Sequence, residues 1–63
     1  MDDKWYGVYE DMSETAGEEC FYLIAKFRIK YDALLWMNVK AKSALFPLAL
    51  FQIDDKTGQT VRI

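Results

Sequence analysis

CFYLIAKFRIKYDALLWMNVKAKS, residues 20–43, decides how the fold of this chain is read. Its odd positions, Phe21, Leu23, Ala25, Phe27, Ile29, Tyr31, Ala33, Leu35, Met37, Val39 and Ala41, are all apolar or aromatic. Polar residues fall on even positions: Lys26, Arg28 and Lys30 on the way out, Asn38, Lys40 and Lys42 on the way back. Strict alternation is the mark of half-buried strands, and the stretch predicts a long hairpin that supplies most of the core. A three-residue loop at 31–33 would set Phe27 against Met37, Ala25 against Val39 and Leu23 against Ala41 on the buried side. Arg28 would then lie beside Trp36, and Lys26 beside Asn38, on the other side. The turn Lys30-Tyr31-Asp32-Ala33 has no Gly or Asn, so its chemistry does not fix that register. The rival is a helix from Asp32 to Phe46, with Ala, Leu, Met and Lys as good helix formers and Asp32 as a cap. On a helical wheel, however, Asn38, Lys40, Lys42 and Ser43 scatter around the cylinder, and the alternation is preferred.

On the N-terminal side, Lys4 to Glu10 reads as a strand rich in aromatic and β-branched residues. It places Trp5, Gly7 and Tyr9 on one side, Tyr6 and Val8 on the other, with Gly7 marking a bulge or a close backbone approach. Asp11 to Glu19 is acidic and lacks an apolar period, which predicts an exposed loop; Ser13 could cap at most a single helical turn. On the C-terminal side, ALFPLALFQI (44–53) is apolar on both faces, as a covered strand would be, although Pro47 belongs at an edge or bulge. Asp54-Asp55-Lys56-Thr57-Gly58-Gln59 predicts a type I turn with Gly58 at positive φ, pairing Ile53 with Val61 and Phe51 with Ile63. The whole is expected to be one small all-β domain over residues 1–63. Its predicted form is a five-stranded antiparallel barrel or strongly bent sheet, with one long acidic loop after the first strand.

Composition narrows the chemistry. With one cysteine and no histidine, the chain has neither an internal disulfide nor the residues for a zinc site, histidine acid–base work or a Cys–His nucleophile. The loop DMSETAGEE lacks the alternating oxygen ligands of a calcium loop, so no metal or other cofactor is expected. Met1-Asp2-Asp3-Lys4 leads into no apolar segment, and no run approaches the ~20 apolar residues of a membrane span. A reduced, cytoplasmic setting without membrane contact is therefore expected. Hydrophobic residues make up 52% of the chain and aromatics 16%, more than so short a chain can hide, which points to a partner or a second copy.

Charge is unevenly placed. Residues 1–19 carry seven carboxylates against Lys4 alone, a net −6, while residues 20–63 carry three carboxylates against seven basic residues, a net +4. Three surfaces follow. The acidic loop (Glu10, Asp11, Glu14, Glu18, Glu19), flanked by Trp5, Tyr6 and Tyr9 as aromatic anchors, suits docking on a protein with a basic surface. The basic and aromatic set Lys26, Arg28, Trp36, Lys40 and Lys42 would suit single-stranded nucleic acid, although a pI of about 4.9 opposes it. Phe46, Leu48 and Leu50, on the second face of strand 44–53, would be the contact of a homodimer. The function expected is that of a non-enzymatic protein-binding module, in the style of a small phage or mobile-element inhibitor docking on a host protein. The alternatives are a small nucleic-acid-binding barrel and a structural homo-oligomer subunit.

Overall fold

The computed structural model describes residues 4–63. In chain order its elements are β1 (Lys4–Asp11), α1 (Ser13–Ala16), β2 (Phe21–Phe27), α2 (Lys30–Lys40), β3 (Leu48–Asp54) and β4 (Thr60–Arg62). The strands form one open antiparallel sheet in the order β2-β1-β3-β4, with α2 packed on one face. The expected antiparallel sheet is present and dominates the fold, but the chain is not all-β, since α1 and α2 are helical. The closed or five-stranded form does not hold, because the second arm of the expected hairpin is helical and β2 pairs with β1 instead.

The physical reason lies in residues 30–40. Ala33, Trp36 and Met37 recur at i, i+3 and i+4, and their side chains meet Val8, Leu50 and Phe27 across the sheet. Ile29 precedes the helix in an extended conformation, Asp32 sits in the first turn and Lys40 in the last, as the helix dipole favours. Odd–even alternation appears only because the outward side of α2 is also apolar, which masks the helical period. One helix thus buries the sheet face that a second hairpin arm was expected to cover.

β2 carries a bulge. Val8 pairs with Ala25 but Tyr9 with Leu23, so Ile24 is an extra residue on β2. Residues opposite each other share a face, and the bulge reverses which parity faces the helix. Ala25 and Phe27 lie under α2, whereas Phe21 and Leu23 emerge on the other face of the sheet together with Lys26. β3 begins only after Pro47, whose carbonyl accepts a hydrogen bond from the Asp11 N–H at 2.8 Å. The last hairpin has the expected Gly58 at φ 76°, where a Cβ would be strained, but its register differs by one residue. Phe51 pairs with Arg62, Gln52 with Val61 and Ile53 with Thr60. Asp54 Oδ1 accepts from Lys56 N–H at 3.0 Å, and Asp54 exchanges backbone bonds with Gln59 and Gly58, which lengthens the loop by one residue.

Val8, Ala33 and Leu50 are the buried centre, lined by Tyr6, Ile24, Trp36 and Met37. The molecule is a two-layer slab of 38 × 26 × 15 Å. Its accessible surface, 4671 Å², exceeds the ~4,200 Å² of a compact monomer of this mass, as expected when one sheet face has nothing packed on it.

Candidate binding face

The uncovered face of the sheet is built by alternate residues of three strands. Trp5 and Tyr9 come from β1, Phe21 and Leu23 from β2 ahead of its bulge, Phe51 and Ile53 from β3. The rings pack edge to face: Tyr9 and Phe51 are 4.8 Å apart at 70°, Phe21 and Phe51 5.2 Å apart at 71°. Cations cover the flanks. The Arg28 guanidinium sits 4.3 Å from the Trp5 ring and Lys26 Nζ 4.8 Å from it, while Arg62 lies 5.7 Å over Phe21. Gly7 is the floor of this face. A Cβ there would stand 2.8 Å from Ile53 Cδ1, 2.9 Å from Tyr9 Cε1 and 3.1 Å from Leu23 Cδ1, so these three side chains close over bare backbone.

The acidic connection lies at one end of this face, where β1 ends and β2 begins. It is a folded turn rather than a loose loop. Ser13 N–H donates to Asp11 Oδ1 at 3.0 Å, Cys20 N–H donates to Ser13 Oγ at 3.0 Å, and α1 closes at Gly17. Hydrogen bonding from Ser13, side chain first and backbone second, holds the Asp11 carboxyl below its usual range; burial opposes this, and the charge of Arg62 adds a lesser lowering. Glu14, Glu18 and Glu19 are exposed on this turn, whereas Glu10 is half-buried and aligned with Tyr22 and Leu48 on the helix side. The opposite end of the face carries Lys26 and Arg28 on Trp5. One flat apolar strip, ~20 Å from Trp5 to Asp11 at ~3.3 Å per residue, thus runs from a cationic end to an anionic one.

The expected sites are partly brought together. Trp5 and Tyr9 share the open face on either side of Gly7, and Glu14, Glu18 and Glu19 lie at its end, but Tyr6 points into the core beneath α2. The basic and aromatic set is dispersed. Trp36 packs on Phe27 at 5.9 Å between helix and sheet, Lys40 and Lys42 stand at the C-terminal end of α2, and only Lys26 and Arg28 share a surface. The expected dimer contact is also corrected: Leu50 is buried under α2 and Leu48 packs beside it, with Phe46 half-buried in the connection before β3. Phe21, Leu23, Phe51, Ile53 and Arg62 were not expected at the site. The Trp5, Gly7, Tyr9 parity of β1 is the one sequence signal that pointed to this face.

Among the described residues there is no pocket, no grouping of three potential metal ligands, and no helix long and apolar enough to cross a membrane. Comparison with protein-family models, curated proteins and solved structures finds no match.

Proposed function

We propose that the chain is a non-enzymatic protein-binding module whose working surface is the uncovered sheet face, with the acidic turn at its end. One observation carries this reading. Four aromatic side chains with Arg28, Lys26 and Arg62 gather on a sheet face with no second layer, the composition that concentrates binding energy at protein interfaces. The fitting partner has an apolar patch, with basic groups to meet Glu14, Glu18 and Glu19 and acidic groups to meet Lys26 and Arg28. Charges of this kind at the rim act mainly on association rate and choice of partner, and are screened by salt.

Single-stranded nucleic acid is the second reading, since aromatics and cations on an antiparallel sheet also serve as a stacking platform. It is the weaker one here. Bases stack on free ring faces, whereas the Trp5 ring is covered by Arg28 and Lys26, and Phe51 is flanked by Tyr9 and Phe21. The test is capture from a nuclease-treated lysate on immobilised protein, followed by affinity measurement on the captured partner. Leu23→Lys should lower affinity at least tenfold, and the triple reversal of Glu14, Glu18 and Glu19 to lysine should slow association. Capture that vanishes with nuclease, or that ignores both variants, would refute the reading.

A further inference from the structure

α2 is apolar on both sides. Ala33, Trp36 and Met37 face the sheet, yet the outward side presents Tyr31 at 67% exposure, Leu34 at 46%, Leu35 at 49% and Val39 at 68%. Single exposed apolar residues are ordinary, but four along one side of one helix form a patch of the kind that marks an interface. The outward row is continuous: Tyr31, Leu34, Leu35, Asn38, Val39 and Lys42 recur at three- and four-residue steps.

We infer that this row is the contact of a two-fold symmetric homodimer, in which α2 packs antiparallel on α2 of a second copy. Two arguments select a second copy over an unrelated partner. The first is composition. Symmetric, long-lived interfaces are more apolar than exchangeable ones, and four of the six residues of this row are apolar, whereas the open sheet face mixes aromatics with charges of both signs. The second argument is charge. Lys30 and Asp32 give the first turn of α2 no net charge, whereas Lys40 and Lys42 give its other end a net +2. An antiparallel crossing centred between Leu35 and Asn38 sets the Asp32 end of each helix against the Lys42 end of its partner, twice by symmetry. It also opposes the two helix dipoles. A parallel crossing would set Asp32 on Asp32 and Lys42 on Lys42. The arrangement leaves both open sheet faces pointing outward, so the inference stands independently of what those faces bind.

Sedimentation equilibrium from 1 to 100 µM tests it, with circular dichroism as the folding control. The wild-type chain should weigh about twice its 7.4 kDa at the upper concentrations. Leu35→Lys and, separately, Val39→Lys should each raise the dimer dissociation constant at least tenfold while keeping the spectrum. Asp32→Lys should weaken the dimer and the double change Asp32→Lys/Lys42→Asp should restore it. Leu23→Lys, on the opposite surface, should leave it intact. A 7.4 kDa species alone at 100 µM overturns the inference. So does a dimer that Leu23→Lys dissociates and the two helix variants do not.

Discussion

Gly7→Ala probes how the open face is built. Gly7 does not have a positive φ, so alanine fits the backbone there, and the effect must come from space. The new Cβ would lie 2.8 Å from Ile53 Cδ1, 2.9 Å from Tyr9 Cε1 and 3.1 Å from Leu23 Cδ1, against an ordinary carbon–carbon separation of ~3.5–4.0 Å. Each tip must therefore retreat by ~0.5–1 Å. Ile53 and Leu23 can turn outward, because no layer covers them. Tyr9 is less free, since its ring is held against Phe51. Crowding of this kind costs ~1–3 kcal/mol, offset by ~0.4–1 kcal/mol from the smaller conformational freedom of the unfolded chain. The expected net loss is ~1 kcal/mol, or ~4–8 °C in melting temperature for a chain of this size. Thermal and urea unfolding measure it, and side-chain NMR shifts should move for Tyr9, Leu23 and Ile53 but not for Trp36 or Met37. Gly7→Val should cost more than twice as much. A Gly7→Ala protein as stable as the parent, with Gly7→Val equally tolerated, would refute the closure of these three side chains over the Gly7 backbone.

Leu50→Ala should cost ~2–5 kcal/mol, close to the whole stability of so small a domain, while Leu45→Ala should change it by less than ~0.5 kcal/mol, because Leu50 is buried under α2 and Leu45 is almost wholly exposed. Equal effects in urea unfolding would contradict the helix-on-sheet packing. The lowered Asp11 carboxyl binds its proton less readily folded than unfolded, so its contribution is present above the unfolded value and is lost as pH falls through the folded one. Asp11→Asn keeps the Oδ1 acceptor for Ser13 N–H but cannot titrate, and should flatten the acid limb of stability against pH; an unchanged limb would remove Asp11 from that role.

The central strand was legible because both of its sides are distinctive. Trp5, Gly7 and Tyr9 separate by parity from Tyr6 and Val8, and β1, paired on both edges, keeps that parity along its length. β2 was legible as a strand but not in its facing. A single extra residue, Ile24, sends Phe21 and Leu23 to one face and Ala25 and Phe27 to the other, and nothing in an unbroken alternation announces such a bulge. Two of the six side chains of the open face, Phe21 and Leu23, were hidden for that reason. Arg62 was hidden by the last hairpin, where the side chain of Asp54 captures the N–H of Lys56 and shifts the pairing by one residue.

The helix is the instructive case, because its misreading and its unpartnered surface have one cause. Helical period is visible in a sequence when the outward side is polar, since the contrast between the two sides carries the signal. Along α2 that contrast is erased by Tyr31, Leu34, Leu35 and Val39, the residues that the folded chain leaves in solvent. Had these positions been glutamate or lysine, residues 30–40 would have read as an amphipathic helix from Ala33, Trp36 and Met37 alone. The exposed apolar residues on that side are the ones from which the proposed dimer contact is built. The same four side chains thus blur the helical period in the sequence and form the proposed contact. Polar substitution along the row should at once sharpen the helical pattern in the sequence and dissolve the contact between copies.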